Sequence, residues 1–293
     1  MNPKFQLTYR LEVEDKFGQI QVIAFPLTID FSIERNTMAG YNTAEFTVFN
    51  LADNLRSLLV RNNISFSDRR SINFYAGYVS QGPNLPLVFS GYVQNCVSNR
   101  DTVDWMTTFS CFDPDPITRN KNISVSYAAG SFQSGNIQDI VNTYMAPVTF
   151  GKIGNLFQAN PTLPRGNSYS GSALSILRKI TNKNFFIDNG KAYVLAPWEC
   201  LPNSGLEVLD ATTGLLGSPS YEQTYVNCKM IFEPRIVMAQ QMELNSDQSY
   251  LNGTFKVVAF GHNGRISGSS GGEAITTVSL YNPLNSQGLQ VLQ

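Results

Sequence analysis

Alternation of apolar and polar positions is the strongest signal along this chain, and it is cleanest in residues 31–51, FSIERNTMAGYNTAEFTVFNL. From residue 42 onward Ala44, Phe46, Val48 and Asn50 fall on one side, and Thr43, Glu45, Thr47 and Phe49 on the other. A period of two is that of a half-buried strand. The same alternation runs through 5–15, where Phe5, Leu7, Tyr9, Leu11 and Val13 oppose Gln6, Thr8, Arg10 and Glu12. A hairpin tip at 15–18 leads from it into a second strand-rich run that ends at residue 34. Strands are also predicted at 71–78, 87–95 and 103–112, the last with Val103, Trp105, Thr107, Phe109 and Cys111 on one face. Between them, 52–60 changes period. Leu55, Leu58 and Leu59 sit at i, i+3 and i+4, a short amphipathic helix that Asn50 or Asp53 could cap and Asn62-Asn63 would end. Short strands in succession with one covering helix imply a closed or nearly closed β-barrel.

Asp113-Pro114-Asp115-Pro116 interrupts this pattern, because doubled X-Pro steps resist both helix and sheet. Beyond it, 135–145 carries Ile137, Ile140, Val141, Tyr144 and Met145 on one helical face, with Ser134 as N-cap and Pro147 as stop. Residues 151–166 read as a loop, and 172–182 as a second helix capped by Ser172. A hairpin follows at 184–187 and 191–196 around Asn189-Gly190, the strongest short hairpin signal. Strand candidates then return at 221–232, 235–244, 253–262 and 273–280, with turns at 217–219 and a Gly-rich loop at 263–272. The expected fold class is mainly β with a small α/β insert. Two similar β-barrels, at 1–115 and 213–293, flank an insert at 116–212. A weak echo supports the duplication, since each barrel region ends strand, loop, strand, Asx-Pro.

Composition sharpens this picture. Only 15% of residues are charged and the formal net charge is -1. That is low against the roughly 25% typical of soluble domains. No basic excess argues for sequence-specific nucleic-acid binding, and no acidic excess argues for disorder. No apolar run reaches the ~18 residues of a membrane helix, and the N-terminus has no apolar core of signal-peptide length. Two readings of the missing charge stand side by side: a turn-rich β protein, or a surface largely covered by partners. Cys96, Cys111, Cys200 and Cys228 are widely spaced and read as free buried thiols; with one histidine, a zinc site is not expected.

Three stretches resemble one family. They are NTAEFTVFNL (42–51) with INFYAGY after the helix, LVFSGYV (87–93) with the strand at 103–109, and GLLGSPSYEQTYVNCKMIFEP with NGTFKVVAFGHNGRISG. Their order and spacing resemble the baseplate hub proteins of contractile-tailed bacteriophages, related to the N-terminal part of type VI secretion VgrG spikes. The resemblance implies a homotrimer of protomers with two tail-tube-like barrels each, joining a sixfold tail tube to a threefold central spike. It further implies contact with tail tube, spike and wedge proteins, and a channel for tape-measure protein and DNA. The expected location is the virion baseplate, after assembly in the host cytoplasm. No enzyme activity and no cofactor is expected. Interface residues expected on this basis are Thr37 and Tyr41 in the turn before the central strand, Glu45 and Thr47 on its outward face, and Arg265 and Ser267 in the Gly-rich hairpin.

Candidate chemistry is thin. His262 has no nucleophile motif near it and reads as a structural residue. The glycines of 261–272 lack the Gly-Lys-Ser/Thr and following helix of a phosphate loop. Asp113 with Asp115, or Asp101 with Asp104, are carboxylate pairs of the kind a cell-wall glycan hydrolase needs, although such i, i+2 or i, i+3 pairs are usually solvated turns. Arg69-Arg70 and Arg119 with Lys121 are small basic spots. Trp105 and Trp198 are core or interface anchors, or, in a third reading, the platforms of a carbohydrate-binding module.

Overall fold

The computed structural model describes the chain apart from residues 1–3, 5, 39–40, 62–68, 159–161, 204–205, 223, 269–271, 284–287 and 293. The first third contains β1 (Leu7–Glu14), β2 (Ile20–Ala24), β3 (Ile29–Asn36), β4 (Asn42–Phe49), α1 (Asp53–Leu59), β5 (Ser71–Tyr78), β6 (Leu87–Asp101) and β7 (Asp104–Asp113). The insert follows with α2 (Pro116–Asn120), β8 (Asn122–Tyr127), α3 (Gln133–Tyr144), β9 (Thr149–Ile153), α4 (Asn155–Gln158), β10 (Asn167–Ser172), α5 (Ala173–Ile180), β11 (Phe185–Asp188) and β12 (Lys191–Val194). The remainder forms β13 (Glu199–Cys200), β14 (Val208–Leu209), β15 (Leu215–Glu222), β16 (Tyr225–Ile231), β17 (Gln241–Leu244), β18 (Gly253–Ile266), β19 (Ala274–Tyr281) and β20 (Gln290–Val291).

Local signals account for most of these elements. β4 buries Ala44, Phe46 and Val48 and turns Thr43, Glu45 and Thr47 outward, the predicted phase; Asn50 is exposed at φ 53° and lies past the strand. Asp15 shapes the first hairpin tip by accepting hydrogen bonds from the amides of Phe17 and Gln19. Ser172 caps α5 through the Ser175 amide, as expected. Asn189 (φ 49°) and Gly190 (φ 70°) form the left-handed turn between β11 and β12.

Several expectations change. α1 has Ala52 as N-cap with no side-chain bond, and the Asn62-Asn63 stop lies outside the described residues. α3 starts two residues early, after Phe132 rather than Ser134. The 151–166 loop contains the end of β9 and α4, and β9 runs parallel to β12. The predicted turn at 217–219 is a bulge inside β15, and the strand expected at 235–244 is regular only from 241. Val103 and Trp105 do not join the buried face of β7. They stand exposed at the tip of the long β6–β7 hairpin, where Arg56 covers the Trp105 ring at 3.7 Å.

The main difference concerns strand partners. In place of two separate closed barrels, thirteen strands among the described residues form one sheet, in the order β15-β16-β19-β18-β3-β4-β7-β6-β5-β1-β2, with β17 on β18 and β14 on β17. β3 joins the two halves by pairing with β18, from Ala259 opposite Asn36 to Ile266 opposite Ile29. The end strands β2 and β15 are not paired to each other. Alternation specifies which face is buried, and leaves open which strand lies alongside.

The sheet wraps around two apolar cores. The first gathers Leu11, Ile33, Val48 and Phe109 around Phe46, which meets Phe74 at 4.8 Å and Phe89 at 6.0 Å. Phe232 and Ile266, from the far half of the chain, complete it. The second holds Met230, Met242, Val257, Phe260 and Leu280, together with Phe186 and Leu195. A third core belongs to the insert, with Ile137, Ile140 and Val141 of α3 against Leu177 of α5 and Phe185, Ala192 and Val194 of the ribbon. Each fully buried side chain of this size contributes about 1.5–3 kcal/mol.

Candidate functional site

Antiparallel registration carries one face of β4 sideways across the sheet. Glu45 lies opposite Ser32 and Ser110, and Ser32 opposite Asn263. Thr43, Glu34 and Gly261 form the next row, continued by Thr277 and Lys229. The result is one polar surface over β16, β19, β18, β3, β4 and β7, built mainly of Ser, Thr and Asn. Around Glu34, Thr43, Ala259, Asn263, Thr277 and Ser279 it is hollowed into an open concavity of about 620 Å³.

The six residues expected at an interface are distributed as follows. Glu45 is exposed on this surface, and Thr47 is half-buried on it, sharing a 3.0 Å hydrogen bond with Thr108. Arg265 extends the Thr47 row; it grips Asp30 with two bonds of 2.5 and 2.7 Å and covers the Phe49 ring. Ser267 bonds to Thr28 across the same strand pair. Tyr41 lies over the rim, its ring 5.2 Å from Phe112 and capped by Arg119 at 4.3 Å. Thr37 is tied to the Val258 carbonyl by both its amide and its hydroxyl. Of the turn 37–41, residues 39–40 lie outside the described residues, as do 269–271 of the Gly-rich loop.

Behind this surface is a buried polar knot. Arg35 donates to Asp188 at 2.7 Å, to Asn189 at 2.9 Å and to the Val88 carbonyl. Asn42 donates to the Ile187 carbonyl and to Asp188. Asp113 accepts from the Gly190 amide at 3.1 Å on both oxygens. One cation thus faces two carboxylates with little solvent. Burial, reinforced by the charge of Asp188, pushes the Asp113 carboxyl up to about 7, and burial also raises Asp188. The knot clamps the β11–β12 turn of the insert onto the ends of β3, β4 and β7. A sequence signal for it exists. Arg35, Asn42 and Asp113 each continue the buried phase of their strands, where an apolar residue would be the ordinary choice.

The residues weighed as catalytic are occupied structurally. Asp115 caps α2 through the amides of Ile117 and Thr118, bonds the Thr118 hydroxyl and pairs with Arg69 at 3.3 Å. Asp101 and Asp104 face each other at the exposed hairpin tip, where Asp104 accepts from Asn50. His262 is buried between Phe232 and Phe260 and contacts the Thr276 hydroxyl at 2.8 Å. Burial, with Arg35 nearby, holds its imidazole down at about 3, so it stays neutral. The four cysteines are buried free thiols pushed upward by desolvation. Among the described residues no three His, Cys, Asp or Glu side chains cluster as metal ligands, and no helix is long and apolar enough to cross a membrane.

The sequence profile of the family described as baseplate hub gp41 matches residues 6–263. The chain belongs to the baseplate hub gp41 family. The fold of this hub agrees with solved tail proteins at low identity. It superposes on the 43 kDa tail protein of prophage MuSo2 from Shewanella oneidensis with a TM-score of 0.61 and 8% identity, covering 93% of the hub and 97% of that chain. The E. coli c3393 protein, a type VI secretion component described as structurally similar to the T4 tail proteins gp27 and gp5, gives 0.57 at 8% identity over 96% and 79%. A chain of the Francisella PdpA–VgrG complex gives 0.54 at 9% identity over 100% and 60%. No curated protein matches the hub in sequence. Family membership places the hub in the phage tail, and these neighbours share its fold.

Proposed function

We propose that this hub is the symmetry adaptor of a contractile-tail baseplate. Three copies close into a ring that joins the sixfold tail tube to the threefold central spike. The ring leaves an axial channel for tape-measure protein and then for DNA, which passes without sequence-specific contact. Residues 1–115 and 213–293 act as two tube-like lobes, and 116–212 as the insert that braces them. Baseplate wedge proteins contact the outside. Assembly takes place in the host cytoplasm, and the role is mechanical rather than catalytic.

The observation that carries this reading is the β3–β18 ladder, which makes one sheet of two strand-rich halves with separate cores. A chain built this way offers two lobes, and three chains offer six. The polar face through Ser32, Glu45, Ser110, Asn263 and Thr277 suits a channel wall, since Ser, Thr and Asn predominate on it and its charges are of both signs, Asp30, Glu34 and Glu45 with Lys229 and Arg265. The end strands carry exposed apolar side chains, Ile20 and Val22 on β2 and Leu216 and Tyr221 on β15. Exposed strand edges of that kind invite a neighbour, and a ring uses such heterologous contacts. A permanent ring would bury on the order of 2,000 Å² per interface.

Mass measurement of the purified hub, alone and with tube or spike protein, tests the proposal. The expected species is three times the 32.5 kDa chain. A chain that stays monomeric with both partners present would refute it.

A further inference from the structure

A second cavity, of about 260 Å³, lies where the insert's ribbon meets the second core. Its apolar lining includes Phe186, Leu195, Tyr225, Val258, Tyr281 and Met38. Lys183 and Lys256 also line it, and among the described residues no carboxylate does. Lys256 is 4% exposed and donates a hydrogen bond to the Ala196 carbonyl at 2.9 Å. An ammonium carries three donors, so burial with one acceptor leaves it under-satisfied. Glu199 acts on Lys256 through space, yet its own oxygens accept from the amides of Ala196 and Leu156. Position 256 lies opposite Tyr281 in the β18–β19 ladder, at the edge of an apolar core.

We propose that this cavity is a docking site for a carboxylate borne by a partner polypeptide next to an apolar side chain. The carboxylate would take the free donors of Lys256 and the charge of Lys183, and the side chain would lie against Phe186 and the Tyr225–Tyr281 pair. Charge complementarity selects this occupant, because the lining holds two cations and, among the described residues, no acid. Size agrees: the volume falls below the ~300–1,000 Å³ of small-molecule sites and suits one anchoring residue. The inference rests on the assembly reading only in taking the ligand to be a polypeptide.

Desolvation holds Lys256 down at about 8, with Glu199, Cys200, Lys183, Tyr225 and Tyr281 as its titratable surroundings. A bound carboxylate favours the charged amine, so affinity is full below that value and falls as pH rises through it.

The test uses the full-length hub with its lysines ¹³C-labelled, titrated with N-acetyl-phenylalanine and, as the neutral control, N-acetyl-phenylalaninamide. Mass is measured on the same samples. The acid should bind at least about tenfold more tightly than the amide and move the Lys256 resonance. Lys256→Met should remove that discrimination, and Lys183→Met should weaken it several-fold. Equal binding of acid and amide, no binding of either, or discrimination that survives Lys256→Met would overturn the site. Should Lys256→Met not fold, the wild-type resonance and the acid-to-amide ratio decide by themselves. A trimer that does not discriminate sinks only the docking site; a discriminating monomer sinks only the adaptor reading.

Discussion

Replacing Asp113 with Asn should make the hub more stable at neutral and alkaline pH. Asp113 is 1% exposed, and burial beside Asp188 raises its carboxyl to about 7, against 3.8 ordinarily. The folded state therefore holds a proton that the unfolded chain releases between these values. Bound protons favour the fold at low pH, so this group's contribution falls as pH rises from about 4 to 7 and stays low above. The loss amounts to about 4 kcal/mol. Asn keeps an oxygen for the Gly190 amide but brings an NH₂ that needs a partner, which offsets part of the gain. A net gain of about 2–4 kcal/mol at pH 8 is expected, and close to none at pH 4. His262 complicates the wild-type curve. It stays neutral in the fold down to about 3 while the unfolded chain protonates near 6.5, so its contribution rises with pH across part of the same range. The difference between variant and wild type cancels that term. Urea denaturation of both proteins from pH 4 to 8 measures it. A difference that does not grow with pH, or a variant less stable than wild type at pH 8, would refute the one-cation, two-carboxylate reading of the knot.

Further expectations follow from the same geometry. Arg35→Met strips the cation from Asp188 and should cost about 3–5 kcal/mol, with limited proteolysis of the insert as a second readout. Val48→Asp puts a charge in the first core and should abolish the folded circular-dichroism signal. Glu45→Lys touches only the polar face, so melting should move by less than about 0.5 kcal/mol while the trimer yield drops. Gly264→Ala would bring a Cβ to 2.6 Å from Ala274 Cα and 2.7 Å from the Glu273 carbonyl; the β18–β19 ladder must shift, and a loss of about 1–3 kcal/mol is expected in thermal melts.

The docking cavity and the buried knot share an origin. In both, a charged side chain is buried: Arg35 and Asp113 at positions where strand phase calls for an apolar one, and Lys256 between the core residues Phe255 and Val257, on the other phase of β18. The charge is tolerated because a partner from elsewhere in the chain satisfies it, at Arg35 through both terminal nitrogens though not Nε, and in part at Lys256. Arg35 and Asp113 can be flagged in a sequence as breaks in the buried phase, whereas Lys256 reads as the polar position of an ordinary alternation. Their partners cannot, because Asp188 lies 153 residues from Arg35, and Ala196 60 residues from Lys256.

By itself the sequence determined what short-range physics determines. Steric alternation set the buried faces of β1, β3 and β4, side-chain-to-amide bonding set the Asp15 tip and the Ser172 cap, and left-handed backbone tolerance set the Asn189-Gly190 turn. The charge-poor composition carried the expectation of a covered surface, though not its location. Only the tertiary structure decided that β3 pairs with β18, that Phe232 and Ile266 finish a core begun two hundred residues earlier, and that the insert's turn locks onto three strand ends. Backbone ladder groups are the same at every residue, so a strand's pattern names its face and not its neighbour. The neighbour is settled by which whole arrangement buries the most apolar surface and leaves the fewest charges unpaired.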